Sequence, residues 1–501
     1  MRSLVMALVI PVALMSSAAI AAPAPDFDEL AGLILKTKDA TSHSSGTAVA
    51  VVKDGKVIYE GYFGFSDIGA RKPVTPDTSF YIASATKPFF ALNALLGEQQ
   101  GEIDTQTSLQ GMFPDVRFKG FDASAITAKH LLTHSSGIDN QPLVWATAFS
   151  GIHDAQSRQS LVAASYPDEE AALGTFRYTN VGYNIVSVWL DRTLSQPWQD
   201  QLAQSIFKPL GMARTTAYIS KAEAKGWRLA KPYSFASADP DVPLYLSKSD
   251  DTMQAAGGLL STAPDLARFL IAQLEDGRYR GKQVFPKSVI AQSQVSQVPL
   301  DSKYLDFNRT GYAWGWYAGE YKGKSMRHHF GSFAGFHAHL SFIPEANVGL
   351  VVLNNEDVLS SRLTGLIADY VYGVLLGEPD VKARSSARFE ELLKQASELR
   401  VATAKQKAVI QGREWHLSLP VGAYVGSYSN DLLGQMTVEL DKDDQPLVRW
   451  GKLAAVATAF DRKDHFRVEF SPNSGDLIAF VIKEGRVDAI SFADATFKRV
   501  D

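Results

Sequence analysis

Apolar residues along this chain recur at different periods, and each period marks a different kind of element. From Phe27 onward, Leu30, Leu33 and Ile34 fall three and four apart, the spacing of one helical face. Two apolar runs follow, Thr47 to Val52 and Val57 to Tyr62, on either side of Asp54-Gly55. That dipeptide suits a tight turn, so the pair predicts a β-hairpin. The segment around Ser84 runs into the apolar helix Phe89-Phe90-Ala91-Leu92, and residues from about 130 to 310 look mainly helical and loop-rich. Strand patterns return at Tyr312 to Tyr317, Phe336 to Phe342 and Val348 to Leu353, where Asn354-Asn355 breaks the run. A helix from about Leu359 to Leu376 closes the unit. Strands at both ends with helices between them predict one sheet built from distant parts of the chain, with a helical insertion.

The pattern changes after residue 380. Phe389, Leu392, Leu393, Ala396 and Leu399 describe an amphipathic helix within a Lys-, Arg- and Glu-rich connector over 381–415. Beyond it the period becomes two: Met436, Val438 and Leu440, then Phe466, Val468 and Phe470, then Phe480 and Ile482, then Ile490 and Phe492. Turns fall at Asp441 to Pro446, Pro472 to Gly475 and Glu484-Gly485. Short alternating strands at this spacing predict a small antiparallel barrel or sandwich over 416–501.

Composition narrows the classes. A chain of 501 residues with 46% hydrophobic and 21% charged content suits two or three globular domains. A net charge of −4 gives no electrostatic case for nucleic acid or an acidic membrane surface. The absence of cysteine excludes disulfides, thiolate catalysis and cysteine-ligated metals. Residues 1–21 carry Arg2, an apolar run from Leu4 to Met15, and the end Ala19-Ile20-Ala21. This is the layout of a removable signal peptide, and it predicts a periplasmic or secreted protein without a membrane span after cleavage. The expected order is therefore a leader at 1–21, a main domain at 22–380, a helical linker at 381–415 and a β-barrel at 416–501.

Chemistry enters at Ser84-Ala85-Thr86-Lys87. Three residues apart on a helix, hydroxyl and amine share a face. A desolvated lysine there loses basicity and can take the serine proton. Ser205-Ile206-Phe207-Lys208 has the same spacing but runs into Pro209-Leu210-Gly211, the end of a surface helix. A second motif is Tyr178-Thr179-Asn180, where a phenol near a cation can relay protons and an asparagine can hold a substrate amide. Tyr428-Ser429-Asn430 repeats that spacing at a barrel turn and reads as structural. A third is Arg327-His328-His329-Phe330-Gly331-Ser332, whose small residues let a substrate approach backbone amides that can hold an oxyanion.

In this order the three segments resemble the serine hydrolases related to class C β-lactamases and penicillin-binding proteins. The resemblance spans about 45–375. It extends to His130-Leu131-Leu132-Thr133-His134-Ser135-Ser136-Gly137-Ile138, to Lys208-Pro209-Leu210-Gly211-Met212 and to the run from Ala256 to Arg268. It implies an α/β (α+β) β-lactamase-like fold: an antiparallel sheet flanked by helices, with a helical subdomain. The C-terminal barrel is similar to a lipocalin-like domain. Carried over, Ser84 would be the acylated nucleophile, Lys87 its activator, Tyr178 the general base and Asn180 a substrate ligand. His329, Gly331 and Ser332 would line the substrate strand, with the N–H groups of Ser84 and Ser332 as oxyanion hole. No cofactor is implied.

The family usually carries a lysine where this chain has His329. A histidine is mostly neutral at pH 7, so recognition of a substrate carboxylate weakens unless Arg327 compensates from the same strand face. Ester, amide or D-amino-acid peptide substrates, as for esterases and D-aminopeptidases, become the expectation. A β-lactamase or D-alanyl-D-alanine carboxypeptidase is the alternative, and a non-catalytic binder of cell-wall peptides is another. An oligomer is compatible with all three. His337 and His339 share a strand face and could ligate zinc, but the sequence supplies no third ligand. His130 and His134 would be loop residues, and Tyr312, Trp314, Trp316 and Tyr317 core. No Gly-x-Ser-x-Gly elbow is present, which argues against an α/β-hydrolase.

Overall fold

Alternate residues of the central strands point to opposite faces, and both faces are buried. The computed structural model describes residues 27 to 500 except 155 and 247, so the leader expected at 1–21 lies outside the described residues. Eight strands form the main sheet: β1 (Thr47–Lys53), β2 (Lys56–Phe63), β3 (Val298–Tyr304), β4 (Phe307–Tyr312), β5 (Tyr317–Tyr321), β6 (Lys324–Phe333), β7 (Phe336–Ile343) and β8 (Val348–Asn354). Their order is β3-β4-β5-β6-β7-β8-β1-β2, antiparallel throughout. The N-terminal hairpin thus joins the C-terminal strands through β1 and β8, Thr47 opposite Asn354.

On one face Val49, Val51, Leu350 and Val352 pack against α1 (Asp28–Thr41) and α5 (Ser360–Leu375). On the other Ala48, Ala50, Leu340 and Leu353 pack against α2 (Lys87–Gln99) and α4 (Ala263–Leu274). Burial on both sides explains why β1 and β8 read as unbroken apolar runs. The 130–310 region is helical as expected, its longest helices being α3 (Val181–Thr193) and α4.

One expectation is corrected. Tyr312 to Tyr317 is a hairpin connection, with Tyr312 paired to Tyr317 across it. Gly315 turns there at φ +79°, and a Cβ would fall 2.6 Å from Pro88, so the turn packs on the start of α2. Strands β3 and β4 also escaped the sequence pattern. β3 lies at the sheet edge, and its residues Pro299 to Lys303 are mostly exposed and polar.

The connector is α6 (Val381–Gln411), which packs against α1 and α5 with Leu392 and Ala396 buried. Asp369 on α5 is fully buried and receives Arg384 at 2.7 Å, Arg388 at 3.3 Å, Lys322 at 3.2 Å and the Tyr321 hydroxyl at 2.6 Å. Burial alone would raise its pKa, but these hydrogen bonds and charges hold it below the ordinary carboxylate value. Asp369→Ala removes the buried acceptor of this network, while Glu378 still pairs with Lys322 and Arg384 and Asp306 with Arg388, so it is expected to cost about 1.5–3 kcal/mol in urea unfolding. The sign of the pH effect follows. Asp369's contribution is whole above about pH 4 and is lost as pH falls through its depressed folded value.

The C-terminal strands are β9 (Gly426–Asn430), β10 (Gly434–Leu440), β11 (Pro446–Trp450), β12 (Leu453–Val456), β13 (Thr458–Ala459), β14 (His465–Val468), β15 (Asp476–Lys483), β16 (Arg486–Phe492) and β17 (Ala495–Arg499). They form one meander, β9 pairing with β17, open only between β12 and β13. This is the nearly closed barrel the alternating pattern predicts. Tyr428 is buried inside it and Asn430 Oδ1 caps its first turn, so this copy of the Tyr-x-Asn spacing is structural.

Candidate active site

Two helices begin at the site. Lys87 is the first residue of α2, directly after the 3₁₀ turn Ala83–Thr86 that carries Ser84, and Asn180 is the N-cap residue of α3. Ala83 takes the left-handed conformation at φ +45°, an uncommon choice for a residue with a Cβ, and so re-aims the chain just before Ser84. Strand β6 lies against this turn. A Cβ at Gly331 would meet Ile82 O at 1.9 Å, so only glycine fits. β5 stops pairing with β6 at Tyr317–His328, which leaves the outer edge of residues 329–333 facing the turn. Ser332 on that edge is exposed.

Lys87 is wholly buried. Its Nζ lies 3.1 Å from Ser84 Oγ, 2.8 Å from Asn180 Oδ1 and 2.8 Å from Ala256 O, with no carboxylate among these partners. Burial lowers its pKa well below 10.5. The positive ends of two helix dipoles act in the same direction. The amine also sits 4.7 Å above the Tyr178 ring.

The Tyr178 hydroxyl is buried and has no partner at hydrogen-bond geometry. Burial pushes its pKa well above 10, with Tyr317 adding to the rise and the neighbouring Ser84 hydroxyl drawing it back. The ring is held by His134 at 4.5 Å, whose Nδ1 accepts the Thr179 N–H at 3.3 Å. His134 is thus the loop residue expected, and it fixes Tyr178 directly. Asn180 uses its carbonyl on Lys87 and leaves its amide N–H groups for another acceptor.

His329 lies on β6 beside the site and is turned into the interior. It is fully buried, donating from Nδ1 to Phe330 O at 2.7 Å and meeting the Tyr312 hydroxyl with Nε2 at 3.2 Å. Both nitrogens are engaged, and burial, then Lys87, lowers its pKa well below 6.5. Arg327 does not compensate: its guanidinium bonds Gln294 O, Ser325 Oγ and Met326 O. His337 and His339 bond hydroxyls of Tyr304 and Ser341, and no metal-sized group of His, Asp or Glu occurs among the described residues. Ser205 donates to Asn93, away from this site.

The sequence reading missed Arg309. Its Cζ stands 3.6 Å over Tyr317, whose ring stacks on Tyr178 at 6.1 Å. Nε meets His328 at 3.2 Å, Nη2 has no partner, and the residue is 9% exposed. No ion pair neutralises it among the described residues. A signal existed: in Phe307-Asn308-Arg309-Thr310-Gly311, period two places Arg309 on the inward side with Phe307.

Several known proteins are similar to this chain. A hydrolase of unguisins from Aspergillus campestris is 26% identical over 412 residues, covering 80% of this chain and 76% of that protein. Penicillin-binding protein 4* of Bacillus subtilis is 25% identical over 358 residues, 68% of this chain and 75% of that protein. Protein flp of Staphylococcus aureus is 26% identical over 327 residues, 62% of this chain and 60% of its own length. The octameric penicillin-binding protein homologue from Pyrococcus abyssi shares the fold, with a TM-score of 0.59 and 22% identity over 94% of this chain and 99% of that one. The model of the beta-lactamase family matches residues 33–369. That match covers more than half of the chain, and this chain belongs to the beta-lactamase family.

Proposed function

We propose that the protein is a serine hydrolase that cleaves ester or amide bonds through an acyl-enzyme on Ser84. The supporting observation is the environment of Lys87. A neutral amine has two N–H donors and one lone pair. Asn180 Oδ1 and Ala256 O take the two donors, which leaves the lone pair for the Ser84 hydroxyl at 3.1 Å. Burial favours the neutral amine and the neutral phenol together. Lys87 then accepts the Ser84 proton as Oγ attacks the carbonyl, and Tyr178 gives its proton to the leaving group. The proton on Lys87 returns to Tyr178, and water repeats the sequence to release the acid. The oxyanion would rest on the N–H groups of Ser84 and Ser332. This assigns the base to Lys87 and the relay to Tyr178, rather than the base to Tyr178.

Substrates without a required carboxylate fit best, because buried His329 carries no charge for one. In our reading residues 1–21 are a removable leader and the activity belongs to the periplasm or the exterior; sequencing the mature N-terminus tests this. The decisive experiment is hydrolysis of a short-chain aryl ester, a D-alanine anilide, a D-alanyl-D-alanine peptide and a chromogenic cephalosporin by the protein and its Ser84→Ala variant. Turnover lost with Ser84, and an acyl adduct in intact mass, is the expected result. Undiminished turnover by Ser84→Ala defeats the proposal. Preference for the cephalosporin or the D-alanyl peptide would favour the lactamase or carboxypeptidase alternative.

A further inference from the structure

We propose that the tip of the C-terminal barrel, the Gly451-Lys452 turn, holds the outer wall of the pocket for the substrate's acyl group and thereby sets which acyl groups fit. The inference rests on the serine hydrolase reading in one respect. If Tyr178 protonates the leaving group, that group lies on the Tyr178 side of Ser84. The acyl chain then departs on the opposite side, along β6 past Ser332 towards Phe333.

Three groups meet at Phe333. Tyr81 lies edge-on at 5.3 Å, the Phe149 ring is 5.8 Å away, and Lys248 Nζ stands 3.7 Å over the ring face. Phe149 lies on the helical turn Ala146–Ser150 and Lys248 on a separate loop of the helical insertion, and one barrel turn braces both. The Lys452 backbone N–H donates to Ser150 O at 2.9 Å, next to Phe149. The Lys452 Nζ pairs with Asp251 at 3.0 Å and bonds the Ser249 hydroxyl, next to Lys248. Lys248 Nζ itself donates to Ala148 O at 2.6 Å, which closes the frame between the two segments.

The turn is shaped for this contact. Gly451 has φ +56°, and a Cβ there would lie 2.3 Å from Ser150 O. Behind it a row of rings runs from the barrel to the site. Trp450 and Phe492 pack on Trp145 at 5.8 and 5.1 Å, Trp145 on Phe149 at 4.7 Å, and Phe149 on Phe333. The barrel interior is filled by buried Tyr424, Tyr428, Trp450, Phe466 and Phe497, so the space a lipocalin-like pocket would need is occupied by side chains. The tip is where this barrel meets the chemistry.

The test uses the full chain and two ester series: one fixed aryl leaving group with acyl chains from acetyl to decanoyl, and acetyl esters of varied leaving groups. Lys452→Ala removes the Nζ brace to Asp251 and Ser249, which holds the Lys248 segment, and keeps the backbone brace to Ser150. The Lys452 and Asp251 side chains are about half exposed, so the change costs little stability. We expect the decanoyl-to-acetyl ratio of kcat/KM to rise at least about tenfold, the scale on which pocket shape discriminates acyl groups. The order of leaving groups should stay as it was. Gly451→Val, which drives the turn off Ser150, should move the ratio further in the same direction. An unchanged acyl-chain ratio in folded Lys452→Ala overturns the proposal, as does an equal loss across all chain lengths. Lys452→Ala decides alone should Gly451→Val not fold. Activity surviving in Ser84→Ala would instead remove the underlying hydrolase reading, a failure visible without reference to the ratio.

Discussion

A Lys87→Ala variant is expected to lose about 10²–10⁴-fold in kcat/KM on any ester the protein hydrolyses, the range typical for a positioned acid or base. The loss should appear in acylation, seen as slower formation of the acyl adduct, because Lys87 Nζ faces Ser84 Oγ directly. A purely structural lysine would behave differently, and Lys87→Met separates the two cases. Methionine fills much of the same volume without the cost of a buried polar head, so thermal stability should hold or rise while activity stays low. The pH profile carries a second test. With Lys87 as base, kcat/KM rises through one limb whose midpoint lies below the ordinary lysine value, since burial depresses it. Tyr178 acts as a phenol with a pKa well above 10, so no alkaline fall should follow up to about pH 10. Full activity in Lys87→Ala, or a bell-shaped profile closing near pH 8, would contradict this assignment.

The elements legible in the sequence are those whose local pattern matches their burial. β1, β8 and α5 are buried on the faces their apolar residues occupy, and the hairpin at Asp54-Gly55 forms as its turn residues require. Ser84 and Lys87 were readable because they lie within one turn of each other. The resemblance implied Asn180 as a substrate ligand, but its bond to Lys87, 93 positions away, was marked by nothing local. What stayed hidden depends on long-range neighbours. β3 carries Asp301, Ser302 and Lys303 on a sheet edge, where solvent tolerates them and no strand pattern survives. His329 sits at the position expected, yet its burial and its Tyr312 partner follow from strand pairing. The frame of Phe149, Lys248 and Lys452 draws on three segments some hundred residues apart or more, and no local pattern marks it.

Arg309→Met is expected to move stability and activity in opposite directions. A guanidinium that is 9% exposed, lies over Tyr317 and has no carboxylate partner keeps its charge in a poor solvent. Burial lowers even its pKa, with the surrounding tyrosines Tyr317, Tyr304 and Tyr178 offsetting part of that effect. Replacing it with an apolar side chain of similar length removes the desolvation cost and keeps the packing on Tyr317, so a gain of about 1–3 kcal/mol in unfolding free energy should follow. The same change takes a fixed positive charge away from Tyr178, whose phenol it helps to hold down. Proton transfer from Tyr178 then becomes harder, and kcat should fall about tenfold with KM for a neutral ester little changed. Stabilising a protein by deleting a functional strain is the known signature of an active-site group, and a packing residue gives the reverse. Arg309→Lys retains the charge without the planar stack, and partial recovery of kcat in that variant would separate the electrostatic role from the shape of the pocket. Arg309→Met with lower stability and unchanged kcat would show that the guanidinium serves packing alone.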